Sequence, residues 1–235
     1  MPFLSNEVLL IINLIIIYST VLIFYKLFGR SGLLCWTVFA TIAANIEVLI
    51  LVEAFGLEQT LGNILFASTF LVTDILSEIY GKKKANEAVN IGIIVSGMFI
   101  IVSQIWLLYT PSPNDRIFSN MQAVFSNTPR VMISGLLVFA LVQRFDVWLY
   151  HKIWNFTENI ASNKNKFLWL RNNGSTLVSQ LLNSILFTVA AFYGVFEYQT
   201  LLSIISTTYI IFIVTSLLDT PVVYLARKMS PNIKE

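Results

Sequence analysis

A chain of 235 residues that is 56% hydrophobic and only 12% charged, with a mean hydropathy of +0.74, is not composed like a soluble domain, in which roughly 25% of residues are charged. A formal net charge of +2 excludes the basic footprint of a nucleic-acid binder. A single cysteine, Cys35, excludes an intrachain disulfide and a Cys-x-x-Cys metal site. The class that remains is all-α, a polytopic bundle of transmembrane helices, read as one integral membrane domain over residues 1–235.

Ser5 or Asn6 can cap a first span over Glu7–Phe28, which is almost pure Ile, Leu and Val. The run is too long for a signal-peptide core and no small-residue cleavage site follows, so it reads as an anchor helix. A short basic linker, Lys26–Gly32, leads to a second span at about Leu33–Val52, carrying Asn45 and Glu47. Glu53, Gly56 and Glu58 mark a short acidic loop, and a third span runs from about Leu61 to Tyr80 until Gly81 and Lys82, Lys83 and Lys84 stop it. The fourth, Ala88–Tyr109, has Gly92, Ser96 and Gly97, small residues that let helices approach closely. Thr110–Pro129, with Pro111, Pro113 and Pro129, reads as an exposed loop holding a short interfacial helix at Phe118–Phe125. The fifth span, about Val131–Trp154, carries Gln143, Arg144 and Asp146 in its second half, and Asn155–Asn173 is a polar, basic loop. The sixth, Ser175–Gly194, has Ser175, Ser179, Gln180 and Asn183 in its first half. The seventh, about Leu201–Ala226, ends in Asp219-Thr220-Pro221, where Pro221 is expected to kink the last turn. Arg227, Lys228 and Lys234 form a basic tail.

Charge sets the expected orientation. Seven spans with the N-terminus outside put twelve lysines and arginines, Lys164 and Lys234 among them, in inside segments, and only Arg116 and Arg130 in outside loops. The expected C-terminus is therefore cytoplasmic, and the family resemblance described below implies the inner cell membrane as the location.

Carboxylates inside such spans carry the chemistry. An Asp at the centre of a spanning helix costs about 2.5–3.5 kcal/mol, so it faces a polar cavity or a partner. Asp74 and Glu78, at i and i+4, share one face with Phe70. Phe139, Gln143 and Asp146 form a seam on the fifth span, and Gln180, Asn183 and Phe187 another on the sixth. Converging amides and carboxylates make a pocket for a polar planar ligand, placed on the cytoplasmic half. A carboxylate accepts the two parallel donors of a guanine-like edge, and amides match a carbonyl or an amine. Phe70, Tyr80 and Trp148 can stack on a ring. The same acids suit a small cation or a proton relay. In a purely structural reading they pair with Arg144 or Lys82–Lys84, or snorkel to the interface. Glu47 reads equally as an outer-half carboxylate, His151 as interfacial and Cys35 as a small packing residue.

The run from Phe70 to Gly81, containing Thr73-Asp74 and Glu78-Ile79-Tyr80-Gly81 and followed by Lys82–Ala85, resembles the signature of the YhhQ-type queuosine precursor transporters, also called the vitamin uptake transporter family. The resemblance continues at Arg130, at Gln143-x-x-Asp146, at Ser175–Gln180 and at Thr220-Pro221-x-x-Tyr224, covering about residues 41–228. It implies a six-helix core, about residues 33–228, with Glu7–Phe28 as an extra N-terminal helix. It also implies uptake of 7-cyano-7-deazaguanine or related deazapurines used to make queuosine in transfer RNA, by a stand-alone secondary carrier or facilitator. Asp74, Glu78, Phe70, Gln143, Asp146, Gln180 and Asn183 are the expected substrate-binding residues. Asp74 or Asp146 can relay protons, while passive equilibration with metabolic trapping needs no coupling. Two positions depart from the family pattern: Asn183 stands where an acid is frequent, and Phe212 where a lysine is frequent three residues after a tyrosine, here Tyr209. Losing both members leaves the charge balance intact and leaves the substrate preference open.

Two other readings remain. One is a substrate-binding membrane subunit that needs an energising partner; the other is a carrier of a different nucleobase-like or vitamin-like ligand. An enzyme is not expected, because HExxH, GxSxG and a Ser-His pairing are missing, and without a Walker A motif the chain does not hydrolyse ATP itself. The expected partners are the small-molecule substrate and membrane lipids, with no cofactor, metal or nucleic acid, and a homo-oligomer is left open.

Overall fold

In hydrocarbon every backbone N–H and C=O must be satisfied within the chain, so long apolar runs become helices. The computed structural model describes residues 4–126, 129–161, 166–229 and 231. Its elements are α1 (Asn6–Glu47), β1 (Leu51–Ala54), β2 (Leu57–Thr60), α2 (Gly62–Tyr80), α3 (Lys82–Trp106), α4 (Phe118–Ser126), α5 (Pro129–Ala161), α6 (Leu168–Phe192) and α7 (Tyr198–Lys228). Six of these helices, all but α4, are long and apolar enough to cross a membrane. Of the cations assigned to the inside segments, Lys164 and Lys234 lie outside the described residues.

Helix α1 is two spans in one. A straight helix of its 42 residues would extend about 63 Å at 1.5 Å per residue. Instead Gly29, at φ 58° and ψ −136°, breaks the helical path, in a region where a side chain is strained. The two limbs then pack so tightly that a Cβ at Gly32 would lie 2.1 Å from the Phe24 carbonyl oxygen. The rings of Phe24 and Trp36 meet edge to face at 6.0 Å. The start of α1 returns to the chain just beyond its end: the Asn6 side-chain amide donates to the Glu53 carbonyl (2.8 Å), and the Phe55 N–H donates to the Glu7 carboxylate (3.0 Å). Segments 6–28 and 30–47 are thus antiparallel, and with α2, α3, α5, α6 and α7 they give the seven passes expected from the sequence.

Several expected boundaries move. The second span ends at Glu47 rather than near Val52, and the acidic loop is a β-hairpin with Leu51 opposite Thr60 and Ala54 opposite Leu57. Phe55 (φ 55°) and Gly56 (φ 70°) form its two-residue turn, with both central φ angles positive as hairpin twist favours. The third span stops at Gly81 as expected, but Lys82, Lys83 and Lys84 already open α3, ahead of the expected start at Ala88. Most of Asn155–Asn173, read as a loop, is helical, because α5 continues to Ala161 and α6 starts at Leu168. Hydropathy sees only the apolar layer, and helices continue beyond it where polar residues meet water. Helix α7 runs on through Pro221, and the adjacent Thr220 hydroxyl accepts from the amides of Asn172 (3.2 Å) and Asn173 (2.6 Å).

The most buried helix is α2, where every residue from Gly62 to Ser77 except Phe66 is inside. It packs against α1, α3, α5 and α7, so Leu71 and Ile75 meet neighbouring helices rather than lipid. Apolar residues such as Ile12, Ile15, Ile94, Ile101 and Leu217 face outward.

Candidate functional site

A cavity of about 820 Å³, counting the part open to solvent, lies between α1, α2, α3, α5, α6 and α7 and reaches the end of the bundle that carries the β-hairpin. Its wall is aromatic and amide-rich: Phe66, Phe139, Phe187 and Phe212 alternate with Asn45, Asn63 and Asn183, and Thr69, Ser96 and Thr208 add hydroxyls. None of the described residues lining it carries a charge. Phe66 stands at the centre of the aromatic wall, 5.6 Å from Phe70, 6.1 Å from Phe139 and 6.2 Å from Phe212, ring centroid to centroid. Phe139 lies over Gly92, where a Cβ would come within 2.8 Å of the ring. Arg130 holds this end of the cavity together by donating to the carbonyls of Ala190 (3.1 Å) and Tyr193 (2.7 Å) at the C-terminus of α6, where a helix favours a cation.

The floor is polar on its far side. Phe70 is fully buried, and beside it the Gln143 amide donates to Thr69 (2.7 Å) while Thr73 donates to its carbonyl (3.2 Å). That amide clamp ties α5 to α2 across the bundle. Asp74 lies one position beyond Thr73, and Thr176 of α6 donates to one of its oxygens (3.1 Å). Ser175 and Ser179 approach Asp146, and Tyr18 approaches Asp219 of α7. The three aspartates are at most 1% exposed. Among the described residues no lysine or arginine forms an ion pair with them. Gln180 is fully buried beside them on α6, with neither amide atom bonded among the described residues. Uncompensated charge out of water costs several kcal/mol per ion, so this buried polar group is an expensive feature of the fold. The described residues contain no group of three acids, histidines or cysteines placed to hold a metal ion.

Beyond these aspartates the bundle is closed by charge. Arg171 donates from Nε (2.9 Å) and Nη2 (2.7 Å) to Glu78, Tyr150 adds its hydroxyl (2.8 Å), and Arg227 stands 3.4 Å away. The Arg171 guanidinium lies 4.1 Å from the centroid of the Trp154 ring, a cation–π contact, and is fully buried. One carboxylate thereby joins α2, α5, α6 and α7.

The residues singled out from the sequence thus separate into layers. Asn183 lines the open cavity, Phe70 and Gln143 lie behind its wall residues Phe66 and Thr69, Asp74, Asp146 and Gln180 are buried in the protein interior, and Glu78 is held by Arg171. Of the proposed structural partners, Arg144 is exposed and donates to Asn90 (3.1 Å), away from the acids. Trp148 is exposed under Lys152 and Cys35 is exposed on α1, so neither packs inside. His151 stacks on Trp154 at 5.8 Å. Sequence reasoning overlooked Asn63, Arg171 and Tyr150, and noted Asp219 without including it among the binding residues. The signal for Asp219 was present, as an acid within a span, but Arg171 lay in a presumed loop 93 residues from its partner.

Residues 60–226, which span most of α2 through α7, match the family model described as "Putative vitamin uptake transporter". The chain is 40% identical over 218 residues to a protein of Bacillus subtilis (strain 168) named "Probable queuosine precursor transporter", covering 93% of each. No solved structure matches it. With buried aspartates and amides inside a bundle of six membrane-length helices and this match over most of its length, the chain belongs to the vitamin uptake transporter family of multi-pass membrane transporters.

Proposed function

We propose that the chain imports a queuosine precursor, 7-cyano-7-deazaguanine or a close deazapurine, as a stand-alone carrier. It acts by binding and conformational change, without chemistry on the cargo. The observation that carries the reading is the charge-free aromatic and amide cavity above a buried acidic cluster, in a chain 40% identical to a transporter named for that cargo. A flat neutral heterocycle fits between Phe66, Phe139 and Phe212, where ring faces pack favourably. When the Gln143 clamp opens, Asp74 or Asp146 can accept the paired ring N–H and amine of a guanine-like edge. The cavity then faces outside, as the asymmetry of lysine and arginine supports, and the Glu78–Arg171 lock is the exit gate. Intramembrane acids of this kind also suit proton relay, and the outward isoleucines suit a lipid surround.

The test is uptake of labelled 7-cyano-7-deazaguanine by cells that cannot synthesise the precursor and carry this chain alone, wild type or Asp74→Asn. Uptake by wild type that is lost in the variant at equal membrane levels supports a self-sufficient carrier using Asp74. No uptake by well-expressed wild type removes the reading. Uptake that appears only when another membrane protein is supplied replaces it with a partner-dependent subunit.

A further inference from the structure

Asn63 places a buried, hydrogen-bonded amide on the cavity wall. It sits in the first turn of α2, is 8% exposed, and lines the cavity. Thr60 donates its hydroxyl to the Asn63 carbonyl oxygen at 3.0 Å. That bond engages the oxygen and fixes the plane of the amide, leaving the NH₂ as the buried, unsatisfied group of a residue that lines the cavity. Among the described residues this NH₂ has no acceptor. A buried donor without an acceptor destabilises the fold, so its retention at the wall of a cavity calls for a partner that arrives from outside.

The fold holds this donor in place from a distance. Thr60 is the last residue of β2 and pairs with Leu51, and the Leu61 N–H closes the hairpin onto the Ile50 carbonyl (2.9 Å). The hairpin in turn is tied to the first turn of α1 through Asn6 and Glu7. The first span and the hairpin together therefore set the direction of one N–H pair.

We propose that this cavity is the first binding site of the cargo, and that Asn63 is its specificity-determining donor. The site takes a neutral planar heterocycle whose edge carries a hydrogen-bond acceptor such as a ring carbonyl. Phe66, Phe139 and Phe212 contact the ring faces, and Asn63 and Asn183 read the edge. A charged ligand is disfavoured, because the wall offers no counter-ion. The proposal rests on the transport reading for the identity of the cargo, but its geometry concerns any ring of this class.

The experiment uses the full chain purified into nanodiscs and titrated with 7-cyano-7-deazaguanine and with the analogue carrying an amine in place of the ring carbonyl. Asn63→Asp keeps the shape, replaces the donor by an acceptor and adds a carboxylate charge. Its affinity for the carbonyl ligand is expected to fall at least tenfold and its preference to shift toward the amine analogue, which loss of packing alone would not produce. Thr60→Val unpins the amide and is expected to weaken the carbonyl ligand several-fold without reversing the preference. Thermal melting of each variant checks folding. If both folded variants bind both ligands as wild type does, the proposal is overturned and the transport reading stands. If wild type ignores the deazapurine but binds nicotinamide or uracil with the same dependence on Asn63, the site stands and the cargo assignment falls. If wild type binds none of these rings, both fall.

Discussion

Asp74 and Glu78 lie one helical turn apart, yet they meet opposite surroundings. Glu78 is held by a buried bidentate arginine, whereas Asp74 has only a threonine hydroxyl and other acids nearby. The two substitutions should therefore behave differently. Glu78→Gln leaves Arg171 buried without its counter-charge and is expected to cost about 3–5 kcal/mol of stability, seen as a lower melting temperature in detergent. Exchanging the pair, Glu78→Arg with Arg171→Glu, should recover part of that loss. Asp74→Asn should melt within a few degrees of wild type but lose uptake; an unchanged uptake rate would show that the buried acids are not on the cargo path. The acids were legible in the sequence because charge is rare in a spanning helix. Asn63 was not, because an asparagine near a helix start looks like an ordinary terminal residue, and only the bond from Thr60 reveals which side of its amide is free.

At the scale of elements, apolar length located the spans, and the short α4 was also readable. The hairpin was hidden because Leu51 and Val52 extend the hydrophobic run of α1 and look like its last turn. The ends of α5 and α6 were hidden because polar residues can prolong a helix outside the apolar layer. Gly29 and Gly32 carry the reversal of α1, and a side chain at position 32 has no room beside the Phe24 backbone. Gly32→Leu is therefore expected to abolish the monodisperse folded fraction in size-exclusion profiles. Gly97→Ala, whose Cβ would come no nearer than 3.8 Å to Leu136, should leave the profile unchanged. Gly92→Ala lies between these cases: it pushes on Phe139 at the cavity wall and should weaken cargo binding more than it lowers melting temperature.

For the whole molecule, the cavity reaches the hairpin end while the Glu78–Arg171 pair closes the other. Removing the single cysteine with Cys35→Ser allows the two compartments to be probed separately. In that background, Asn183→Cys should react with a membrane-impermeant maleimide added from outside, and Ser179→Cys should react at least tenfold more slowly. Labelling of both at equal rates would mean that the floor is not a barrier, and labelling of Asn183→Cys only from inside would reverse the orientation. Asn183 and Phe212, the two positions read from the sequence as departing from the family pattern, line the same cavity, a convergence that the one-dimensional order of residues could not display. The neutral wall also governs how fast cargo arrives. Charged sites gather ligands by long-range attraction and slow down as salt screens it. With no charge lining this cavity, capture depends on diffusion and local fit, and the association rate should stay flat from low to high ionic strength. A steep salt dependence would mean that the cargo is captured in a charged form, against the neutral ligand proposed for this site.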